Sequence, residues 1–160
     1  MIDPFDSTYV TSFEEILWGV VLVAITMIIH GVGMVLTLQM GTAFEKRIEK
    51  SNSFALGLFV LILGGWLITI VHLTEVFVWA SFFVWQGAMP NASVAFYFSL
   101  NEYTTLGSDY HLPQRFRLLE GMIATSGLLG FAWSTGTIMV LAKEFQDRQM
   151  EIFRQRRAKR

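Results

Sequence analysis

Three long apolar runs dominate the chain. Residues 16–40 hold one ionisable side chain, His30, among 25 positions. At 1.5 Å per residue such a run reaches roughly 37 Å, enough to cross a bilayer's hydrocarbon with some tilt. A second run, 54–85, is interrupted by His72 and Glu75. It exceeds what a bilayer needs, so its first two-thirds are expected in the membrane. Its aromatic end, with Trp79, Phe82, Phe83 and Trp85, is expected at an interface. A third run covers 117–142, with Glu120 near its start. Between the second and third lies a segment of another kind, 91–113. Its apolar part, 92–100, is too short to span and reads as a re-entrant or buried helix. The pattern predicts an all-α membrane protein: three transmembrane helices plus one re-entrant helix and its loop.

Charge sets the expected direction of crossing. Ten of the 12 Lys and Arg residues fall in 46–50 or 143–160; Arg115 and Arg117 are the other two, and 1–45 has none. By the positive-inside rule the N-terminal stretch 1–15 is extracytoplasmic, and the loop 41–53 and tail 143–160 are cytoplasmic. Three crossings give that arrangement, and segment 91–113 then enters and leaves on the outer side. A multi-pass place in the cell membrane, inner or plasma, is expected. The tail mixes Phe145, Met150, Ile152 and Phe153 with its charges. It reads as an amphipathic helix extending the third span, either against anionic lipid or in a small intracellular bundle.

Composition narrows the chemistry. Apolar residues make up 53% of the chain and charged ones 16%, below the roughly one quarter that a soluble domain carries. Cysteine is absent, which excludes disulfides, thiolate nucleophiles and Cys-ligated zinc. No basic domain suited to nucleic acid is present, and no Lys or Arg ladder of the voltage-sensing kind interrupts the spans. The start, Met1 to Asp6, lacks the basic opening of a secretory leader. No cofactor is expected, and no nucleophile motif points to an enzyme.

The candidate chemistry sits in 91–113. Irregular backbone at membrane depth is tolerated where it is buried in protein or lines a water-filled path, which points to a pore. Asn91 or Ser93 can cap a helix start. Apolar and aromatic turns follow, then Thr104-Thr105-Leu106-Gly107, with a glycine where the helix is expected to break. A helix ending there aims its negative end at whatever lies beyond. Carbonyls and hydroxyls beyond it are oxygen donors that can replace a cation's water.

The stretch Phe96-Tyr97-Phe98-Ser99-Leu100-Asn101-Glu102-Tyr103-Thr104-Thr105-Leu106-Gly107 resembles the pore helix and the start of the filter in tetrameric potassium channels. It is similar above all to small bacterial members of the ion-channel family, built from two spans and a pore loop. The tract Arg117-Leu118-Leu119-Glu120-Gly121, followed by Gly127 to Thr135, resembles the opening of their last helix. The likeness covers roughly residues 91–137 and extends more weakly over the second run; the first run is an addition to that plan. It implies a homotetramer around a central pore, lined by the third span, passing monovalent cations (potassium, sodium or both). The implied filter is Thr104, Thr105, Leu106, Gly107, Ser108 and Asp109.

The family continues Gly-Tyr-Gly-Asp where this chain reads Gly107-Ser108-Asp109. If the aspartates are aligned, one filter residue is missing. If the glycines are aligned, Asp109 replaces the second one. Selectivity for potassium is therefore expected to be weak, with an acidic ring favouring cations in general. The alternative is a channel-like scaffold or accessory protein that conducts nothing.

His72 and Glu75 lie three apart on one helical face, and ionisable groups inside a membrane are costly and usually paired or functional. A structural pair bonded to each other or to the short helix is one reading; proton sensing or gating is another. A metal site beyond the permeant cations is not expected, since a di-metal bundle site needs further carboxylates and a second Glu-x-x-His. His30 reads as a packed histidine. Glu120 reads as a support behind the filter or as an interfacial charge. Gly127, Gly130 and Gly136 in the third run read as close-packing positions or a gating hinge.

Overall fold

The computed structural model describes residues 9–48 and 54–158, and among these the chain is helical with no strand. The elements are α1 (Phe13–Ile48), α2 (Phe54–Trp85), α3 (Ala92–Tyr103), a 3-10 turn (Gln114–Phe116) and α4 (Leu118–Ala158). Helices α1, α2 and α4 are each long and apolar enough to cross a membrane. The run 41–53, expected as a loop, is helical up to Ile48. Ala43 to Ile48 contains neither glycine nor proline and favours helix throughout. Residues 49–53, with Lys50, lie outside the described residues, as do 1–8 and the last two of the tail.

Local chemistry explains the ends. Ser12 and Glu15 form a reciprocal cap on α1: the Glu15 N–H donates to the Ser12 hydroxyl at 3.2 Å, and the Ser12 N–H donates to the Glu15 carboxylate at 2.9 Å. At the end of α2, Gly87 takes φ 66°. The Ala88 N–H then reaches the Phe83 carbonyl at 2.9 Å and the Gly87 N–H the Val84 carbonyl at 3.0 Å, the double closure of a glycine-terminated helix.

The chain divides into two compact units. One comprises residues up to 28 with 73–129, and the other 29–72 with 130–160. The first contains the main apolar core, in which Trp79, Phe83, Ala95, Phe98, Tyr103 and Leu119 are buried. Of the four aromatic residues at the end of α2, Trp79, Phe82 and Phe83 are buried within the protein and Trp85 is exposed. The cover comes from α3 and the chain after it. Phe83 meets Phe98 edge-on at 5.9 Å, Phe82 meets Phe116 at 6.1 Å, and the Trp79 indole N–H donates to the Ser126 hydroxyl at 3.2 Å. The second unit packs its helices through small residues, with Leu141 lying over both Gly41 and Gly64 and Val71 over Gly33.

Candidate functional site

Helix α3 is the short element that the sequence set apart, and its position is determined at both ends. Asn91 is its N-cap, with the Oδ1 atom accepting the Val94 N–H at 2.9 Å. One face is buried through Ala95, Phe98, Ser99 and Tyr103. At the other end the Tyr103 hydroxyl donates to the carboxylate of Glu75 on α2 at 2.5 Å, and both groups are buried. A Cβ at Gly127 of α4 would overlap the Tyr103 carbonyl oxygen. The last turn of α3 therefore sits directly on the α4 backbone.

The chain leaves α3 in a strained turn. The helix stops at Tyr103, four residues before Gly107, where the break was expected. The Leu106 N–H closes onto the Asn101 carbonyl at 2.9 Å and the Thr105 N–H onto Glu102 at 3.0 Å. That closure requires a left-handed residue, usually glycine; here it is Thr105, at φ 62°. A β-branched residue in that region is a backbone outlier, and such strain persists only where the surroundings enforce it. Gly107 follows at φ 75°, while Ser108 and Asp109 keep negative φ.

Residues 104–113 then run to the start of α4 with defined contacts. The Thr104 hydroxyl turns back onto its own helix, donating to the Leu100 carbonyl at 2.8 Å. Ser108 Oγ accepts the Tyr110 N–H at 3.1 Å. The Tyr110 ring packs edge-on against Phe98 at 5.9 Å. Glu120 holds the far end: one oxygen accepts the Leu112 N–H at 2.6 Å and the other lies 3.4 Å from His111 Nδ1. Burial, then repulsion from Glu120, hold the Glu102 carboxyl above its ordinary range; His111 and the Ser108 N–H act the other way. Thr105, Leu106, Gly107 and Asp109 are exposed, and an open cleft lies along Asn101, Leu106, Gly107, Ser108 and Asp109.

His72 and Glu75 each reach a partner distant in sequence. Glu75 belongs to the α3 anchor. His72 stays in the second unit, where its Nε2 lies 3.0 Å from the Ser134 hydroxyl. His30, fully buried, brings its Nε2 to the same hydroxyl at 3.3 Å. The two imidazole rings are 5.2 Å apart, with Phe131 stacked near His72 at 4.6 Å and Trp133 beside His30 at 5.5 Å. Gly130 is a buried position within α4, and Gly136 is open, with no atom near where a Cβ would stand.

Sequence reasoning missed the part played by Glu15. This carboxylate is 2% exposed and serves two helices, capping α1 and accepting the Leu118 N–H at the start of α4 at 3.2 Å. The Ser-x-x-Glu spacing at Ser12 was a readable signal for the first role; nothing local signals the second. Ser134 and Tyr103 were unremarkable as single residues and gain meaning only from their partners. Compared with known proteins, the chain matches no family model, no curated protein and no solved structure.

Proposed function

We propose that this chain is one subunit of a homotetrameric pore-loop cation channel in the cell membrane, with weak preference for potassium. In this reading α3 is the pore helix, Thr104 to Asp109 form the filter, and α4 lines the pore. The observation that carries it is the turn at Thr105. A threonine forced to φ 62° lies at the end of a short buried helix, followed by exposed carbonyl-bearing residues. Three anchors surround it: Glu75 on Tyr103, Gly127 against the Tyr103 carbonyl, and Glu120 on Leu112. Strain enforced from several sides is characteristic of functional backbone. The exposed side chains of Phe77 and Trp85 on α2 and of Tyr97 on α3 suit a neighbouring subunit or lipid.

The filter chemistry follows from the backbone. Strong discrimination needs several consecutive rings of inward carbonyls. Gly107 takes the positive φ that turns a carbonyl, and Ser108 and Asp109 do not. Fewer rings leave the ion partly hydrated, and hydrated sodium and potassium are harder to distinguish. Four Asp109 carboxylates at the mouth concentrate cations and repel anions. The same reading places the N-terminus outside and the basic tail in the cytoplasm, against anionic lipid.

The test is flux through purified protein in liposomes under potassium, sodium and bulky organic cation gradients. Potassium and sodium should both pass and the bulky cation should not. Asp109→Asn should lower flux, most at low ionic strength, where screening is weak. A reversal potential following potassium alone overturns the filter reading. Absence of any flux favours the non-conducting scaffold.

A further inference from the structure

Within the second unit, four side chains from three helices converge on one buried point. Ser134 of α4 is the hub, 4% exposed. Its hydroxyl lies 3.0 Å from His72 Nε2, 3.3 Å from His30 Nε2 and 3.8 Å from the thioether sulfur of Met34. His30 and Met34 are four apart and share a face of α1. His30 is 0% and Met34 1% exposed. One ring nitrogen of each histidine lies within 4.8 Å of one in the other.

The protons around this point are few. A hydroxyl has one to give, whereas two imidazole nitrogens and a sulfur all present lone pairs when the rings are protonated at Nδ1. In the hydrogen-bonded arrangement, then, at least one ring must carry its proton on Nε2 and donate to the hydroxyl. Moving that proton to Nδ1 leaves several lone pairs aimed at one small volume, with a wall of Trp133 and Phe131 beside it. Such a convergence of acceptors is what a cation satisfies.

From this geometry we infer that His30, His72 and Met34 form a binding site for one soft transition-metal ion of d10 configuration, copper(I), for which silver(I) is a stable probe. The thioether decides the class: imidazole serves many metals, and a sulfur from methionine selects the soft monovalent ones. Glu75, one turn further along α2, accepts the Tyr103 hydroxyl; its carboxylate is a hard oxygen donor and is not counted among the ligands of a soft ion. Ser134 positions the two rings. In the loaded site the ion takes the place of the proton between hub and rings, and the rings approach by a small side-chain shift. The site is independent of the channel reading, because none of its ligands is among residues 104–109 and binding is measured without flux.

The experiment titrates the purified full chain in detergent micelles with silver(I), and with copper(I) under reducing conditions against a coloured chelator. One ion per chain should bind. His30→Gln and His72→Gln should each weaken binding at least tenfold. Met34→Leu, which conserves volume and keeps the fold if a histidine variant does not, should weaken silver and copper binding while leaving zinc(II) binding unchanged. X-ray absorption on the copper-loaded protein should show two imidazole nitrogens and one sulfur. No stoichiometric binding by the unaltered protein, binding that survives the His30→Gln, His72→Gln double variant, or zinc(II) held more tightly than silver(I) would each overturn the assignment.

Discussion

The two units contain stretches of the same three long helices and pack them in opposite ways. In the unit of residues up to 28 and 73–129, contacts are specific and polar at their key points. Glu15 joins the starts of α1 and α4, Glu75 holds Tyr103, and Glu120 holds Leu112. Of its two tightest approaches, Gly19 lies under the Met122 side chain, and Gly127 on the Tyr103 carbonyl is helix backbone against backbone. In the unit of 29–72 and 130–160, close approaches are glycine against the end of a side chain: Gly41 and Gly64 under Leu141, Gly57 under Phe145, Gly33 under Val71. Side chains can change rotamer and backbone cannot, so the first kind of contact fixes one geometry and the second tolerates several. Small-residue packing is also the kind that lets membrane helices lie close with little specificity of register. The strained turn at Thr105 belongs to the first unit, where its conformation can be imposed.

The largest expected effect breaks that contrast directly. Gly127→Ala places a methyl where the Tyr103 carbonyl stands, and neither helix backbone can step aside cheaply. It should cost about 3 kcal/mol, the upper end for overpacking. Gly64→Ala meets only the Leu141 side chain and should cost about 1 kcal/mol or less. Thermal melts of both variants in one detergent decide it. Equal losses would show that backbone and side-chain contacts are not energetically distinct here.

Next in size is Tyr103→Phe. It removes a buried hydroxyl from a carboxylate, a charge-assisted bond worth about 1.5–3 kcal/mol. Ser134→Ala, in the other unit, removes a neutral hydroxyl and should cost about 1 kcal/mol. Amide exchange should rise at residues 100–109 in Tyr103→Phe and stay unchanged there in Ser134→Ala. Faster exchange at 100–109 in both would mean that α3 is not held locally.

Smaller again, and opposite in sign, is Thr105→Gly. Glycine takes φ 62° freely, so relief of strain should stabilise the protein by about 1 kcal/mol. The melting temperature should rise while cation flux falls, because a turn no longer fixed by its surroundings holds its carbonyls less firmly. A lower melting temperature would show that the threonine side chain contributes more than its backbone costs.

How much of this was legible in the sequence follows from the range over which each signal acts. The long helices were readable because apolar runs above 20 residues have few other outcomes. Helix α3 was readable from its length and from Asn91. The stop at Tyr103 was not, because Gly107 offered a locally better break and tertiary contacts at Tyr103 prevailed. The packing of the aromatic end of α2 was not readable for a related reason. Trp79, Phe82 and Phe83 have the composition of an interfacial belt, and only α3 lying over them makes them core. His72 and Glu75 share a helical face, yet their partners, Ser134 and Tyr103, are 62 and 28 residues away. Spacing along one helix says that two groups are neighbours and nothing about which distant group each will meet.

The smallest effect concerns Glu102, at the edge of the well-anchored unit. Burial and the nearby Glu120 raise its carboxyl above the ordinary value of 4.5. Raised in the folded state, such a group favours folding when protonated, and that contribution is lost as pH rises through the folded value. At about pH 7 the ionised Glu102 is therefore a slight burden, and Glu102→Gln should melt higher than the unaltered protein by about one degree, since water screens a half-exposed carboxylate. On acidification the two curves should converge, and well below the ordinary value of 4.5, where the acid is protonated in both states, the difference should vanish. The partner variant Glu120→Gln should lose stability at neutral pH, because the carboxylate accepts the Leu112 N–H and holds residues 104–113. Two acids flanking one loop thus carry opposite signs: one is a structural acceptor and the other is tolerated beside it. Glu102→Gln melting below the unaltered protein at neutral pH would mean that its bond from the Ser108 N–H outweighs burial and repulsion together, and Glu102 would then join Glu120 as a support of the turn.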